Sequence, residues 1–580
     1  MRNGHLMSRN KIVFAGVTLL NILTASGLTA QSIPDAGSIL RDQKLRLQES
    51  LERQEPPPIE ESIATPSRRA DGVRVKVVRF AFRDYEGVAT EAELQAIVAN
   101  DLDKELSFSA LEDISDKVTA YLKGKGWFIA RAYLPQQDVT SGLIEIAITQ
   151  GRSDGNINIR RDERARVCPT LIRGMAMEAV RSGRPINERS LERSVLLMND
   201  LPGVQAKASV SVGKNPGTSA IDLLVTDGPL INGAVWGDNE GSRYTGKWRG
   251  SAMASVSDPF GCGDQLTFLA TEAQGLVQGR VGYNYPLSPK GIRLNFAYTG
   301  MRYELGDALA SLNYKGRSSV LEGGLSYPVL RSRNDNVRFN YTYAYKTLID
   351  SQAGSDIHNK EILSVNAVVN GDHTDSWFSG GKTNWNVGVT SGSFHEANPV
   401  TSADALLNRT EGYYTRFNMG LSRLQRLSER VNLNLSWNGQ YSLCNLDSSE
   451  KLSLGGPNGI RAYPSGEGAG DEGHLFNAEV RYVLPTPPAW GNFQFVTFYD
   501  LGRITLQKDS VTPLSTATNR NEYWLHGAGL GLNYTFNARV SLRFVWAHVI
   551  GENPGRSISG NNSDGLADKS RYWLQAMLFF

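Results

Sequence analysis

Cysteine is nearly absent from this 580-residue chain. Cys168, Cys262 and Cys444 stand far apart with no C-x-x-C among them, which excludes a zinc ribbon, a thioredoxin-type motif and a disulfide-dense scaffold. A surplus of one charge is missing too. Lys and Arg number 61 against 59 Asp and Glu, a net charge of +2, so no global field marks a nucleic-acid binder and no nucleic-acid partner is expected. After residue 30 no window holds the ~20 apolar residues that a spanning helix needs. Catalytic patterns are equally thin. H-E-x-x-H does not occur, and Gly381-Lys382-Thr383 ends like a P-loop but has Ser376 where the opening glycine belongs. The seven histidines are isolated, and His548, which continues a strand face after Phe544 and Trp546, reads as a wall residue. Asp471 and Glu472, flanked by Gly470 and Gly473, make a turn with too few neighbouring ligands for calcium. The chain is expected not to be an enzyme and to use no metal or cofactor.

What is present begins with an address. Arg2, Arg9 and Lys11 precede an apolar stretch from Ile12 to Leu23, and small residues follow to Ala30, the layout of a secretory signal peptide over residues 1–30. An exported chain without spanning helices is either soluble outside the cytoplasm or a membrane β-barrel, because only helices and closed barrels satisfy their backbone in lipid. Residues 31–54 are polar, with Ile39, Leu40, Leu47 and Leu51 near one helical face, and predict a helix over Asp35 to Gln54. At about 20 residues it would be ~30 Å long, which suits a polar rod lying in a water-filled pore. Pro56-Pro57-Pro58 and Pro66 make residues 55–72 an extended linker.

Residues 73–152 predict a strand, two helices and two strands. Thr90-Glu91-Ala92-Glu93 is a capping box before Leu94, Ile97, Val98 and Leu102, and Ser109-Ala110-Leu111-Glu112 predicts a second one before Ile114, Val118 and Leu122. Residues 153–229 replay the order, from Ile157 and Ile159 through two helices to Ala206–Val212 and Ile221–Val225. Two βααββ modules therefore stand in tandem. Residues 230–580 alternate apolar and polar: Ile292, Leu294, Phe296 and Tyr298 on one face, then Val337, Phe339, Tyr341, Tyr343 and Tyr345, then Val431, Leu433, Leu435 and Trp437. The sustained repeat and its aromatic load predict a transmembrane antiparallel β-barrel of about 16 strands. The last face ends Tyr572, Leu574, Ala576, Leu578 and Phe580, and a terminal aromatic strand resembles the assembly signal of bacterial outer-membrane barrels.

Architecture and motifs together resemble the outer-membrane transporters of two-partner secretion (TpsB), the haemolysin and filamentous-haemagglutinin secretion/activation proteins. The resemblance covers nearly all of the mature chain. The tandem modules look like that family's two POTRA domains, and Asp35–Gln54 looks like its plug helix. Asp238-Asn239-Glu240-Gly241, Asp258-Pro259-Phe260-Gly261 with Gly263-Asp264, and Tyr283 to Pro289 resemble its first barrel strands. Leu454-Gly455-Gly456-Pro457-Asn458-Gly459-Ile460-Arg461-Ala462-Tyr463 resembles the tip of the long loop that folds back into the barrel. The family pattern has glycine where this chain has Ala462, which implies a permissive φ or an altered tip. Phe498-Tyr499-Asp500-Leu501-Gly502 resembles the inward strand motif F-x-D-x-G. The resemblance implies that Arg461 pairs with Asp500, a role suited to a planar, always-charged fork. It further implies a place in the Gram-negative outer membrane with the POTRA domains in the periplasm. The partners implied are a secreted β-helical (TpsA-like) protein, outer-membrane lipid or lipopolysaccharide, and the barrel assembly machinery. The alternative is a BamA-like insertase, which would be expected to carry more or different periplasmic modules and no plug helix. A diffusion porin or outer-membrane enzyme would need no tandem modules.

Overall fold

The computed structural model describes residues 33–47 and 74–580, apart from 163–164, 181–182, 216–217, 399–400, 513, 515 and 538. The expected signal peptide and proline-rich linker lie outside the described residues. Sixteen antiparallel strands, each bonded to its neighbour in chain order, form a closed ring. The ring closes where the last strand (Ser570–Phe579) pairs with the first (Ile231–Asp238), Phe579 opposite Ala234 and Gln575 opposite Asp238. Phe580 completes this seam: its N–H donates to the Gly233 carbonyl and its own carbonyl accepts from the Gly233 N–H, both at 3.0 Å. Closure matters because an open edge in lipid would leave a row of amides and carbonyls without partners.

Alternation sorts the side chains as the sequence implies. Phe339, Tyr341, Tyr343 and Tyr345 are exposed on the outer face, while Ala344, Lys346, Leu348 and Asp350 between and beyond them are buried inside. The strands differ in length, from 8 residues in Ile231–Asp238 to 21 in Ser355–Asp375. A bilayer crossing takes ~9–11 tilted residues, so the long strands stand well clear of the membrane at one end. No helix among the described residues is long and apolar enough to cross; the strands do so.

Two small sheets precede the ring. In the first, Arg79–Arg83 runs parallel to Leu143–Thr149, and Arg131–Tyr133 pairs antiparallel on its other side. Helices Glu91–Val98 and Phe108–Gly124 cover one face, burying Leu94, Val98, Leu111, Ile114, Val118 and Leu122 against Phe80, Ile144 and Ile146. A two-stranded ribbon, Arg74–Lys76 with Glu105–Ser107, is added to the βααββ plan. In the second sheet Thr218–Asp227 lies between Arg152–Arg161, to which it is parallel, and the antiparallel edge strand Val204–Val212. Helices Pro169–Ala179 and Glu188–Asn199 complete that module.

The first capping box forms: the Glu93 N–H donates to Thr90 Oγ1 at 3.4 Å and the Thr90 N–H donates to Glu93 Oε2 at 2.8 Å. A hydrogen bond from Lys125, with those of the cap, holds the Glu93 carboxyl down at about 2. The second box does not form. Its helix starts at Phe108, and the cap is Ser107, whose hydroxyl accepts from the Ala110 N–H at 3.3 Å. Ala110 has no carboxylate to return the bond, and Ser109 and Glu112 fall inside the helix. Thr90→Ala is expected to raise hydrogen exchange of the Glu91–Val98 amides about fivefold, the equivalent of a cap worth ~1 kcal/mol, with barrel amides unchanged. Unchanged exchange in that helix would show that packing on Phe80 alone holds it.

Candidate functional site

The barrel lumen is filled from two directions. Helix Ala36–Leu47 stands against the inner side of strands Tyr314–Arg331 and Asp335–Gln352. Its described part has 12 residues, and residues 48–54 of the expected helix lie outside the described residues. Ala36, Ile39 and Leu40 are buried among Tyr303, Tyr314, Leu348, Ile362 and Leu446, so the short apolar stripe faces the wall. Polar contacts fix its first turn. The Ala36 N–H donates to Asp350 Oδ1 at 3.0 Å, and the Tyr303 hydroxyl donates to the same oxygen at 2.5 Å. Lys360 Nζ lies 2.8 Å from Asp35 on the helix and 2.8 Å from Asp447 on the inward loop. The Ser448 hydroxyl donates to Asp35 Oδ2 at 2.6 Å, and Arg41 Nη1 donates to the Ser448 carbonyl at 3.1 Å. Helix, loop and wall thus meet at one lysine.

The loop joins strands Val431–Ser442 and Glu472–Val483 and descends into the lumen. Leu452–Ser453 pairs with Ala469–Gly470 to make its stem. At the tip Gly456 has φ +116°, and a Cβ on Gly455 would lie 2.2 Å from the Pro464 carbonyl oxygen, so both turns need glycine. Ile460, Ala462 and Tyr463 are buried with Leu454, Val496, Phe498 and Leu525. Arg461 is 4% exposed and Asp500 fully buried. Arg461 Nη2 lies 2.6 Å from Asp500 Oδ1, and Nε and the backbone N–H donate to Oδ2 at 2.9 and 3.0 Å. Nη1 donates to Glu479 at 2.5 Å, the guanidinium sits 3.4 Å above the Phe498 ring, and Trp573 Nε1 donates to the Arg461 carbonyl at 2.8 Å. Asn477 links wall and tip, donating to Asp500 Oδ1 at 2.8 Å and to the Gly459 carbonyl at 3.1 Å.

The strand motif works by alternation. Val496, Phe498, Asp500, Gly502 and Ile504 point inward, and a Cβ at Gly502 would lie 2.8 Å from Leu454 and 2.9 Å from Ile460 of the loop. Ala462 does not have a positive φ. Its methyl instead faces Gly527 on the wall, where a Cβ would come within 2.7 Å of it. The absent wall side chain makes room for the extra carbon at the tip.

Several ionic contacts escape sequence reasoning. Lys346 and Arg416 on the wall bind Glu450 of the loop, Arg416 Nη2 at 2.9 Å. Arg249 pairs with Asp238 at 2.5 Å and donates to Gln43 of the helix at 3.3 Å. Asp238 belongs to a recognised motif, and its partner was findable from the cross-strand register Arg249↔Asp238 once the strands were aligned. The second module docks on the barrel through Arg166, which donates to the Ser257 carbonyl at 3.2 Å, and through Asp200, bound by both Nε and Nη2 of Arg331 at 3.0 Å. Asp258-Pro259-Phe260-Gly261 is a turn at this end, closed by the Gly263 N–H donating to Asp258 at 2.6 Å. Gly151-Arg152-Ser153-Asp154-Gly155 spells G-x-S-x-G. Its serine is buried within strand Arg152–Arg161 rather than raised on a strand-to-helix elbow. Among the described residues no group of three His, Cys, Asp or Glu side chains is placed to hold a metal ion.

A ring stopped by a helix and a returning loop, with two small modules at its mouth, defines a plugged barrel transporter. Residues 217–534 match the family model described as haemolysin secretion/activation protein ShlB/FhaC/HecB, and residues 75–151 match the ShlB-type POTRA domain. The chain belongs to this haemolysin secretion/activation family. It is 26% identical to the heme/hemopexin transporter protein HuxB of Haemophilus influenzae over 98% of this chain and 99% of that one. It is 24% identical to the outer membrane transporter CdiB of Escherichia coli over 86% and 82% of the two chains. The solved structure of CdiB from Escherichia coli aligns over 100% of both chains with TM-score 0.70 at 20% identity. BamA from Haemophilus ducreyi lacking POTRA domains 1–3 shares the fold at TM-score 0.51, 14% identity and coverage of 87% and 100%. The protein is accordingly an outer-membrane transporter of two-partner secretion, its POTRA domains in the periplasm.

Arg461→Ala leaves Asp500 buried without its cation, a change that typically costs ~3–5 kcal/mol. The variant is expected to expose the 443–471 loop to added protease and to lower the temperature at which the barrel loses its folded gel mobility. Wild-type values for both would mean that the apolar tip holds the loop unaided.

Proposed function

We propose that the lumen is the path of an unfolded, exported β-helical partner, and that Arg461 and Asp500 hold the inward loop in register while the helix Ala36–Leu47 withdraws to clear it. The observation that carries this is the difference between the two stoppers. The loop is anchored by a buried fork and an apolar cluster, the helix, among the described residues, by three buried apolar residues and by polar bonds from Asp35, Ala36, Arg41 and Gln43. The cargo is captured in the periplasm by strand addition. Val204–Val212 is an edge strand of the second module, where main-chain bonds would give affinity and alternate side-chain pockets selectivity. The protein catalyses no covalent step on its cargo, and folding of the partner at the surface biases the direction of travel. Similarity to HuxB extends the candidate cargo beyond haemolysin- and adhesin-type proteins to one concerned with heme or hemopexin. Lipid or lipopolysaccharide meets the aromatic outer wall, and Phe580, bonded into the seam, is the signal presented to the barrel assembly machinery.

Removing residues 73–228 while keeping the barrel is expected to abolish surface export of the partner encoded beside this gene, with the shortened protein still in the outer membrane. Export that persists without the modules overturns capture by them, and a full-length protein that leaves the product periplasmic while its loss depletes other outer-membrane barrels favours the insertase reading. Lys360→Gln removes the cation shared by Asp35 and Asp447, and is expected to raise the open-channel fraction in planar bilayers several-fold. A closed variant would show that the helix is held elsewhere.

A further inference from the structure

Cys168 and Cys262 are distant in sequence and neighbours in the fold. Cys168 immediately precedes the helix Pro169–Ala179 of the second module, and Cys262 lies in the barrel turn 258–264 on which that module rests. The Cys168 N–H donates to the carbonyl of Gly261, the residue bonded to Cys262, at 2.9 Å. Covalent geometry then keeps the two Cα atoms under about 7 Å, the separation beyond which cysteines cannot be bridged. Both thiols are partly exposed and free, and Arg166 of the module donates to the Ser257 carbonyl of the barrel. Their chemistry differs. Hydrogen bonds from Thr170, at the opening of the helix, lower the Cys168 thiol below its ordinary value, whereas burial, with Asp264 and Asp258 nearby, raises that of Cys262. A thiolate-prone cysteine next to a higher-pKa partner is the arrangement of an attacking and a resolving thiol.

We propose that Cys168 and Cys262 form a disulfide that staples the second POTRA domain to the first periplasmic turn of the barrel, by exchange with a disulfide oxidant of the periplasm. The Cys168 thiolate attacks one sulfur of the oxidant and expels the other as a thiolate. Cys262 then loses its proton and attacks the Cys168 sulfur of the mixed disulfide, expelling the second oxidant sulfur. Two protons and two electrons leave the pair, and the oxidant departs as two thiols. In the reduced form described here Cys262 Sγ contacts the Phe260 carbonyl at 3.5 Å, so its side chain must turn for the bond to close.

The test is a thiol count on the full-length protein in outer membranes treated with oxidised glutathione, acid-quenched, denatured and labelled with a maleimide. One label is expected before reduction, on Cys444 at the far end of the barrel, and three after it, since the chain has three cysteines. The unreduced digest should contain a peptide joining Cys168 to Cys262, and in Cys262→Ser that peptide should be absent, with Cys168 either free or stopped at the mixed disulfide with glutathione. Three labels without reduction overturn the proposal. So does a linked peptide joining any other pair, or a Cys262→Ser chain whose Cys168 is bonded to another cysteine of the chain. The count does not depend on export, so it stands or falls separately from the transport reading.

Discussion

A ring of sixteen strands encloses a lumen wider than inward side chains can fill. Backbone chemistry imposes the ring, because each strand must find partners on both sides in lipid, and the seam at Gly233 and Phe580 supplies the last of them. The unfilled lumen is the consequence from which the rest follows. The helix and the returning loop occupy it, and neither belongs to the barrel's hydrogen-bond ladder. They can therefore be held by side chains alone, and side-chain contacts can be tuned.

The tuning is unequal. Burying a side chain such as Ile39 or Leu40 is worth ~1.5–3 kcal/mol, and the helix adds a lysine shared with the loop, one backbone bond to Asp350 and bonds with Ser448 and Arg249. The loop buries Leu454, Ile460 and Tyr463, and inserts an arginine that makes three bonds to one carboxylate and a fourth to Glu479. Charge-assisted bonds of this kind are roughly twice as strong as neutral ones, and the Phe498 ring beneath the guanidinium adds attraction. Of the two stoppers the helix is the weaker, which is the physical basis for assigning the motion to it.

Much of this was legible in sequence, and the division follows range. The barrel was readable because its signal is local: every second residue from Val337 to Tyr345 is apolar, and the structure turns those rings outward. The capping box at Thr90 was readable for the same reason, whereas the one expected at Ser109 failed by two residues because Ser107 competes for the same helix end. The pairing of Arg461 with Asp500 came from a resemblance in motif, since nothing in either segment alone names its partner. Lys360, Asp447 and Glu479 were not legible at all. Their roles depend on which strand stands beside the returning loop and at what height. The compensation between Ala462 and Gly527 is of this kind, a methyl gained at one place and a side chain absent at another far along the chain.

Lys360 decides what the lumen looks like when the helix has gone. In the plugged state its side chain is 9% exposed and its ammonium is paired with two carboxylates, one just before the helix and one on the loop. Withdrawal of the helix, as proposed above, removes Asp35 and admits water, which screens the remaining charge. In that proposal Asp447 is left as its partner, so the loop keeps an anchor on the wall while Arg461 keeps it at the tip. A lysine paired with the helix alone would be stranded by the motion, and one paired with the loop alone would not report it. Sharing the cation lets the helix leave without releasing the loop, and lets the loop's own carboxylate reduce the cost of opening.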